Sequence, residues 1–288
     1  MRRFVDLHAH STASDGQVTP EELIRLAEAR RLAAVALTDH DTIDGLAPAR
    51  AEAAKFPALR FVPGIEISAE PPSGTLHILG LGIDERSAPV RAVAQFLRSA
   101  RDARNPKIVA KLVAMGVGID MDDVRAAAGA VGSEGEVLGR LHIAEALRRK
   151  GVVRDTAEAF QRYLARGAAA YVERQRPSPA EAIAAIRDSG GLAVLAHPVQ
   201  LGCGNRAQLE RLVRQFLRHG LEGIEVYHTD HDAAMTRRCL DLARKYGLCV
   251  TGGSDFHGAA KPDARLGRPR VPLAAIDARF AERLFGAS

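Results

Sequence analysis

The sequence predicts an α/β fold, a closed or nearly closed barrel of about seven strands carrying a small helical insertion. Two observations lead there. Short apolar runs bounded by glycine or polar residues alternate with amphipathic stretches at helical spacing, the pattern of a parallel sheet with helices outside it. Histidines and carboxylates then stand at one end of run after run, where a parallel barrel gathers its functional side chains.

The elements follow in order. The first run, Phe4-Val5, leads into Asp6-Leu7-His8-Ala9-His10, with Asp15 five residues on. Thr19-Pro20-Glu21-Glu22 reads as a capping box with proline in the first turn, opening a helix through Leu23, Leu26 and Ala27. A strand over 33–38 ends in Thr38-Asp39-His40, and a helix over about 43–55 follows. Strands near 60–67 and 76–83 carry Glu66 and His77. Residues 99–171 then break the alternation. They are rich in Ala, Arg and Leu, read as helices near 98–115, 120–128, 138–150 and 155–165, and are expected to cap the rim. The barrel is thus assigned to 1–98 and 172–288. It resumes at Ser178-Pro179-Ala180-Glu181, a second capping box opening a helix to about 189. Strand 192–196 ends at His197, strand 223–227 precedes His228, and strand 248–252 leads to Gly253-Ser254-Asp255-Phe256-His257, with helices near 206–219 and 232–246 between them.

Composition excludes more than it selects. A net charge of +5 is compatible with an anionic substrate, but a solvated basic surface is the commoner cause. Arg101, Arg104, Lys107 and Lys111 recur at helical spacing, and such a stripe is usually a solvated face. No dense basic tract with interleaved aromatics argues for a duplex-binding surface, so duplex DNA is not an expected partner. Cys203, Cys239 and Cys249 form neither a CxxC pair nor a disulfide framework, which suits a reducing compartment. With no apolar segment after Met1-Arg2-Arg3 and no run near the roughly 20 residues of a membrane span, the expectation is a cytoplasmic protein without membrane contact. Oligomeric state leaves no mark in the sequence.

Chemistry enters through the run ends. Side chains two apart on a strand share a face, so His8 and His10 can bite one ion. Asp15, Glu66 and Asp255 offer hard oxygens able to bridge ions, and His40, His77, His197 and His257 complete the set. A lone histidine such as His77 is more often a hydrogen-bonded structural residue than a ligand. Six of them on one expected rim are a different matter. Nine candidates exceed the four ligands of one zinc site. They suit two or three divalent ions with water in the open positions, and nitrogen and oxygen donors without thiolate favour Mn, Fe or Zn. His219 at a helix end and His231, expected at the surface, lack this support; His228 is a candidate pocket-lining residue.

These stretches resemble the PHP family, named for polymerase and histidinol phosphatase. The resemblance rests on Asp6-Leu7-His8-Ala9-His10, Ser14-Asp15-Gly16, Leu37-Thr38-Asp39-His40-Asp41, Gly64-Ile65-Glu66, His77, Ala196-His197-Pro198 and Gly253-Ser254-Asp255-Phe256-His257. It implies a distorted seven-stranded β/α barrel with a trinuclear metal site. One ion would take His8, His10, Glu66 and Asp255. A second would share Glu66 and add His77 and His197, and a third would take Asp15, His40 and His257. Asp6, Asp39 and Ser254 would orient ligands. Arg101-x-x-Arg104-Asn105, Gly139-Arg140-Leu141-His142-Ile143-Ala144 and Ala170-Tyr171-Val172 resemble a subgroup that includes 3′,5′-nucleoside bisphosphate phosphatases and 5′→3′ exoribonucleases acting on short RNA.

The resemblance implies a metal-dependent phosphoesterase that removes the 3′-phosphate of nucleoside 3′,5′-bisphosphates, with hydroxide generated at the metal ions as nucleophile. Arg140 and His142, with Arg104 and Asn105, would hold the second phosphate. No residue is assigned as general acid. The runner-up is 5′→3′ exoribonuclease action on short 5′-phosphorylated oligonucleotides, since the reacting ester is the same. Histidinol phosphate, an amine, suits an acidic pocket better than these arginines. A non-catalytic metal-stabilised module fits poorly with an intact ligand set. A metal-dependent amidohydrolase usually carries a bridging lysine after a strand, which the sequence lacks in that place.

Overall fold

A computed structural model describes residues 3–129, 138–276 and 278–285. The chain divides into two compact units, Met1–Ala94 with Pro177–Ser288, and Gln95–Arg176. The predicted stretch between the helices near 120–128 and 138–150 lies largely outside the described residues.

The first unit contains eight strands among the described residues: β1 (Phe4–Asp6), β2 (Ala34–Leu37), β3 (Arg60–Ala69), β4 (Leu76–Leu81), β5 (Leu192–Leu195), β6 (Gly223–His228), β7 (Cys249–Gly253) and β8 (Val271–Pro272). They form one sheet in the order β7-β6-β5-β4-β3-β2-β1-β8. The two flanks of that order meet. Leu7 N donates to Gly252 O at 3.0 Å and Asp255 N to His8 O at 2.9 Å, so β1 and β7 approach each other and the barrel nearly closes.

The sheet is not uniformly parallel, which corrects the sequence expectation. β4 runs antiparallel to both β3 and β5, and β8 antiparallel to β1. The reversal explains His77. It stands at the start of its strand, yet its register partner is Ser68 near the end of β3. An antiparallel neighbour brings its first residues to the rim where parallel strands bring their last.

Sequence chemistry accounts for the helices α1 (Pro20–Ala29), α2 (Leu46–Ala53), α3 (Ala88–Ala114), α4 (Met121–Ala128), α5 (Arg140–Arg149), α6 (Thr156–Ala159), α7 (Pro179–Asp188), α8 (Arg206–Arg218), α9 (Ala233–Tyr246) and α10 (Ala278–Phe285). Both predicted capping boxes form. Glu22 N donates to Thr19 Oγ1 at 3.2 Å while Thr19 N donates to Glu22 Oε2 at 2.8 Å, and Ser178 with Glu181 repeats the arrangement. α8 buries Leu209, Leu212, Val213 and Phe216, the i, i+3, i+4, i+7 stripe of a helix against a core. Residues alternating along the strands, such as Ala34 and Ala36, Leu79 and Leu81, Leu192 and Val194, form a buried cluster with Val5, Leu7 and Val271. Phe280 and Leu284 of α10, a helix the sequence reading did not anticipate, pack into it.

The second unit is helical. Ile108, Leu112, Val124, Ile143, Leu147 and Leu164 form its core. The boundary falls within α3, so the predicted helix near 98–115 begins earlier, at Ala88. The predicted helix near 155–165 is only four residues of α-helix and then a wider turn over Phe160–Leu164. Among the described residues no helix is long and apolar enough to cross a membrane.

Candidate metal centre

The ends of β1, β2, β5 and β7, the middle of β3 and the start of β4 bring nine side chains into one connected set. Glu66 is fully buried at its middle. Its Oε2 lies 3.3 Å from His8 Nε2, 3.2 Å from His10 Nε2 and 2.8 Å from His40 Nδ1. Its Oε1 lies 2.8 Å from His77 Nδ1 and 2.9 Å from His197 Nε2. Asp255 Oδ1 joins the first group, 3.2 Å from His10 Nε2 and 3.5 Å from His8 Nε2. Asp15 joins His257, whose Nε2 is 3.2 Å away, with His40 Nε2 and His10 Nδ1 each at 3.9 Å.

Ligand-sized groupings follow from these distances. His8, His10, Glu66 and Asp255 form one, His10, Asp15, His40 and His257 another, and His40, Glu66 and His77 a third. His197 adjoins the last through Glu66 and through His77 Nδ1, 3.2 Å from its Nε2. His10 and His40 thus face two groupings each, one ring nitrogen toward each.

A divalent cation fits this set because the protein leaves it unsatisfied. His8 Nε2, both ring nitrogens of His10, His40 Nδ1, Glu66 Oε2 and His197 Nδ1 are buried without a hydrogen-bond partner. Each such buried group costs on the order of 1–3 kcal/mol unless something takes up its lone pair. The donors are imidazole nitrogens and carboxylate oxygens, borderline-to-hard ligands that suit first-row divalent ions.

The charges are tuned to match. Burial alone would raise the Glu66 carboxyl, but His40, His77 and His8 outweigh it and hold the group well below the usual range. Burial likewise opposes, and His40 with His257 overcomes, in holding Asp15 low. For Asp255 the overriding neighbours are His8, His10 and His228. The cluster therefore presents three carboxylates.

Buried acids shape the loops. Asp6 accepts from His8 N and Ser254 N through Oδ1 and from Gly267 N through Oδ2, tying the two ligand-bearing segments together. Asp39 accepts from Ser11 N, Ser11 Oγ and Ser14 Oγ, fixing the turn that carries Asp15. Gly253 has no alternative: a Cβ there would fall 2.5 Å from His8 N. His197 adopts φ 24°, rare for a residue with a side chain, and its N–H donates to Glu225 Oε2 at 2.8 Å.

Glu225 and Lys261 are the residues sequence reasoning missed, whereas His228, read as a candidate pocket-lining residue, lies beside the cluster. Glu225 is wholly buried on β6, with its oxygens 3.1 and 3.3 Å from His8 Nδ1. An acid inside Gly-Ile-Glu-Val-Tyr, an otherwise apolar run, was the available signal. His228 is buried, with Nε2 3.5 Å from Asp255 Oδ2, and Asp230 N donates to its Nδ1. His231, expected at the surface, is half-buried and bonds Val226 O.

In the helical unit, Arg101 and Arg104 are buried, so the solvated-face reading holds only for exposed Lys107 and Lys111. Arg104 donates twice to Asn105 Oδ1, and Asn105 Nδ2 donates to Leu138 O. Arg140 donates to Leu164 O and lies 5.7 Å from the ring centres of both Phe160 and Tyr171. His142 Nδ1 accepts from Gly139 N. Burial and then the guanidiniums of Arg174, Arg140 and Arg101 bear on the Arg104 charge and lower its proton affinity. These guanidiniums lie near enough for their charges to act on one another.

Comparison with known proteins agrees with this chemistry. Residues 6–176 match the PHP domain. The 3′,5′-nucleoside bisphosphate phosphatase of Chromobacterium violaceum is 36% identical over 263 residues, covering 91% of this chain and 90% of the relative. The 5′-3′ exoribonuclease Rnm of Escherichia coli is 36% identical over 268 residues, covering 91% and 88%. The crystal structure of a protein from Bifidobacterium adolescentis, assigned as a metal-dependent phosphoesterase, superposes with a TM-score of 0.86 at 30% identity, covering 99% of this chain and 96% of that one.

Proposed function

The chain belongs to the PHP-domain family and is a metal-dependent phosphoesterase; from that premise we propose that it removes the 3′-phosphate of nucleoside 3′,5′-bisphosphates, leaving 5′-mononucleotides. The observation that carries the metal-centre part of the reading is the division of Glu66, one oxygen toward His77 and His197 and the other toward His8, His10 and His40. The choice of substrate is supported by the similarity to a 3′,5′-nucleoside bisphosphate phosphatase. A carboxylate divided as Glu66 is suits adjacent ions sharing a bridge, and two or three Mn, Fe or Zn ions are the proposed complement. When bound, such ions draw charge from phosphoryl oxygens and make hydroxide available at neutral pH.

The chain's own residues do the rest. Glu225 holds His8 through Nδ1, leaving Nε2 to face Glu66 and Asp255. Asp6 and Asp39 keep the ligand-bearing turns in place. The unreacting phosphate is assigned to Arg140 and His142 with Arg104 and Asn105, supported by the gathering of guanidiniums in the helical unit.

The test is product analysis by mass after Mn-loaded protein meets adenosine 3′,5′-bisphosphate. Release of phosphate with 5′-AMP supports the reading; 3′-AMP, or no turnover by protein verified to hold its metals, overturns it. The similarity to an exoribonuclease favours a second reading, 5′→3′ degradation of short 5′-phosphorylated RNA. Stepwise loss of mononucleotides from the 5′ end would support it.

A further inference from the structure

Lys261 lies outside the nine-residue set but touches it. It follows the short turn Gly258–Ala260 after β7, and its Nζ donates to Asp255 Oδ2 at 2.7 Å and to Asp230 Oδ2 at 3.4 Å. The two oxygens of Asp255 are therefore divided. Oδ1 faces His8, His10 and His257, and Oδ2 faces Lys261 and His228.

This division has an electrostatic consequence. A cation among His8, His10, Glu66 and Asp255 claims the Asp255 charge through Oδ1 and repels a second positive charge a few ångströms away on Oδ2. Lys261 is then left with Asp230, at a longer distance and itself 39% exposed. The lysine side chain is 30% exposed, so its ammonium can turn toward solvent without crossing the core. An ammonium at the edge of a cation-loaded centre is offset by an anion arriving from solvent, and a phosphoryl group presented to that centre carries the charge and the acceptor oxygens required.

We propose that Lys261 is a phosphate-binding residue supplied by the barrel unit itself, exchanging its contact with Asp255 for the phosphoryl group that enters the metal centre. The inference rests on the reading of the Glu66 cluster as a phosphoesterase metal centre, and not on which nucleotide is cleaved.

The experiment is calorimetric titration of inorganic phosphate into metal-loaded protein, with metal content measured on every sample. Wild type is compared with Lys261→Met, Lys261→Arg and Asp230→Asn. Lys261→Met should weaken phosphate binding by about 10-fold or more at unchanged metal content, the scale of one charge-assisted hydrogen bond. Lys261→Arg should retain most of the affinity. Asp230→Asn, which removes the competing carboxylate, should bind phosphate at least as tightly as wild type. Unchanged affinity in Lys261→Met overturns the proposal. Loss of metal in that variant also overturns it, because the lysine would then only hold Asp255. Equal weakening in Lys261→Met and Asp230→Asn overturns it too, marking the pair as structural. Failure of the bisphosphate reading would appear separately, as wild-type protein that binds phosphate but does not cleave adenosine 3′,5′-bisphosphate.

Discussion

Glu225 meets His8 Nδ1 at 3.1 Å, and both side chains are fully buried. The carboxylate fixes which ring nitrogen carries the proton and so leaves Nε2 with its lone pair toward Glu66. Its other oxygen accepts from His197 N, so one acid orients two members of the cluster. Glu225→Gln keeps the shape but removes the charge. Metal affinity, measured by competition with a chromophoric chelator, should fall about 10- to 100-fold. The circular dichroism of the metal-free protein should be unchanged.

Glu66 offers an oxygen to each of two groupings, so Glu66→Gln should reduce the metal content of purified protein, measured by plasma mass spectrometry, and lower phosphoesterase activity by at least about 100-fold. Full metal occupancy with near wild-type turnover would show that the carboxylate is not a bridge.

Arg140→Ala separates the two phosphates. If Arg140 holds the unreacting one, kcat/KM on a nucleoside 3′,5′-bisphosphate should fall about 10-fold or more. The loss on a nucleoside 3′-monophosphate should be much smaller. An equal loss on both substrates sinks the assignment.

Glu145 gives a pH dependence remote from the metal centre. Hydrogen bonds from Arg148, against a smaller opposing effect of burial, and then from Arg149 depress its carboxyl to about 2. A depressed acid contributes stability above its unfolded value, near 4.5, and loses it as pH falls through the folded one. Glu145→Gln should therefore lower stability at pH 7 by about 0.5–1 kcal/mol, the scale of a partly exposed ion pair. The difference should shrink between pH 4.5 and 2, read from urea unfolding at each pH.

Thiol chemistry checks the packing. Cys239 is buried and its thiol is pushed up to about 12 by burial, and Cys249 is buried as well. Cys203 is half-buried. A disulfide reagent at pH 8 should modify one thiol per native chain, at Cys203, and three after unfolding.

Much of the fold was legible in the sequence because its determinants are local. Thr19 with Glu22 and Ser178 with Glu181 mark helix starts by short-range hydrogen bonds, and the Leu209 to Phe216 stripe marks a buried helix face. The nine candidate ligands were legible for a related reason: a hard donor ending an apolar run is expensive unless the fold uses it. Tertiary structure alone decided the rest. An apolar run has no polarity, so nothing in Leu76–Leu81 announces that β4 runs antiparallel and carries His77 to the rim by its first turn rather than its last. Arg101 and Arg104 look like a solvated stripe because helical spacing records a face but not what that face meets. Glu225 takes its role from His8, far away in sequence, which comes within hydrogen-bond reach only when the strands curl into a barrel. Lys261 takes its role from Asp255, six residues earlier, because the loop after β7 turns its ammonium back onto that carboxylate, a turn the sequence does not announce.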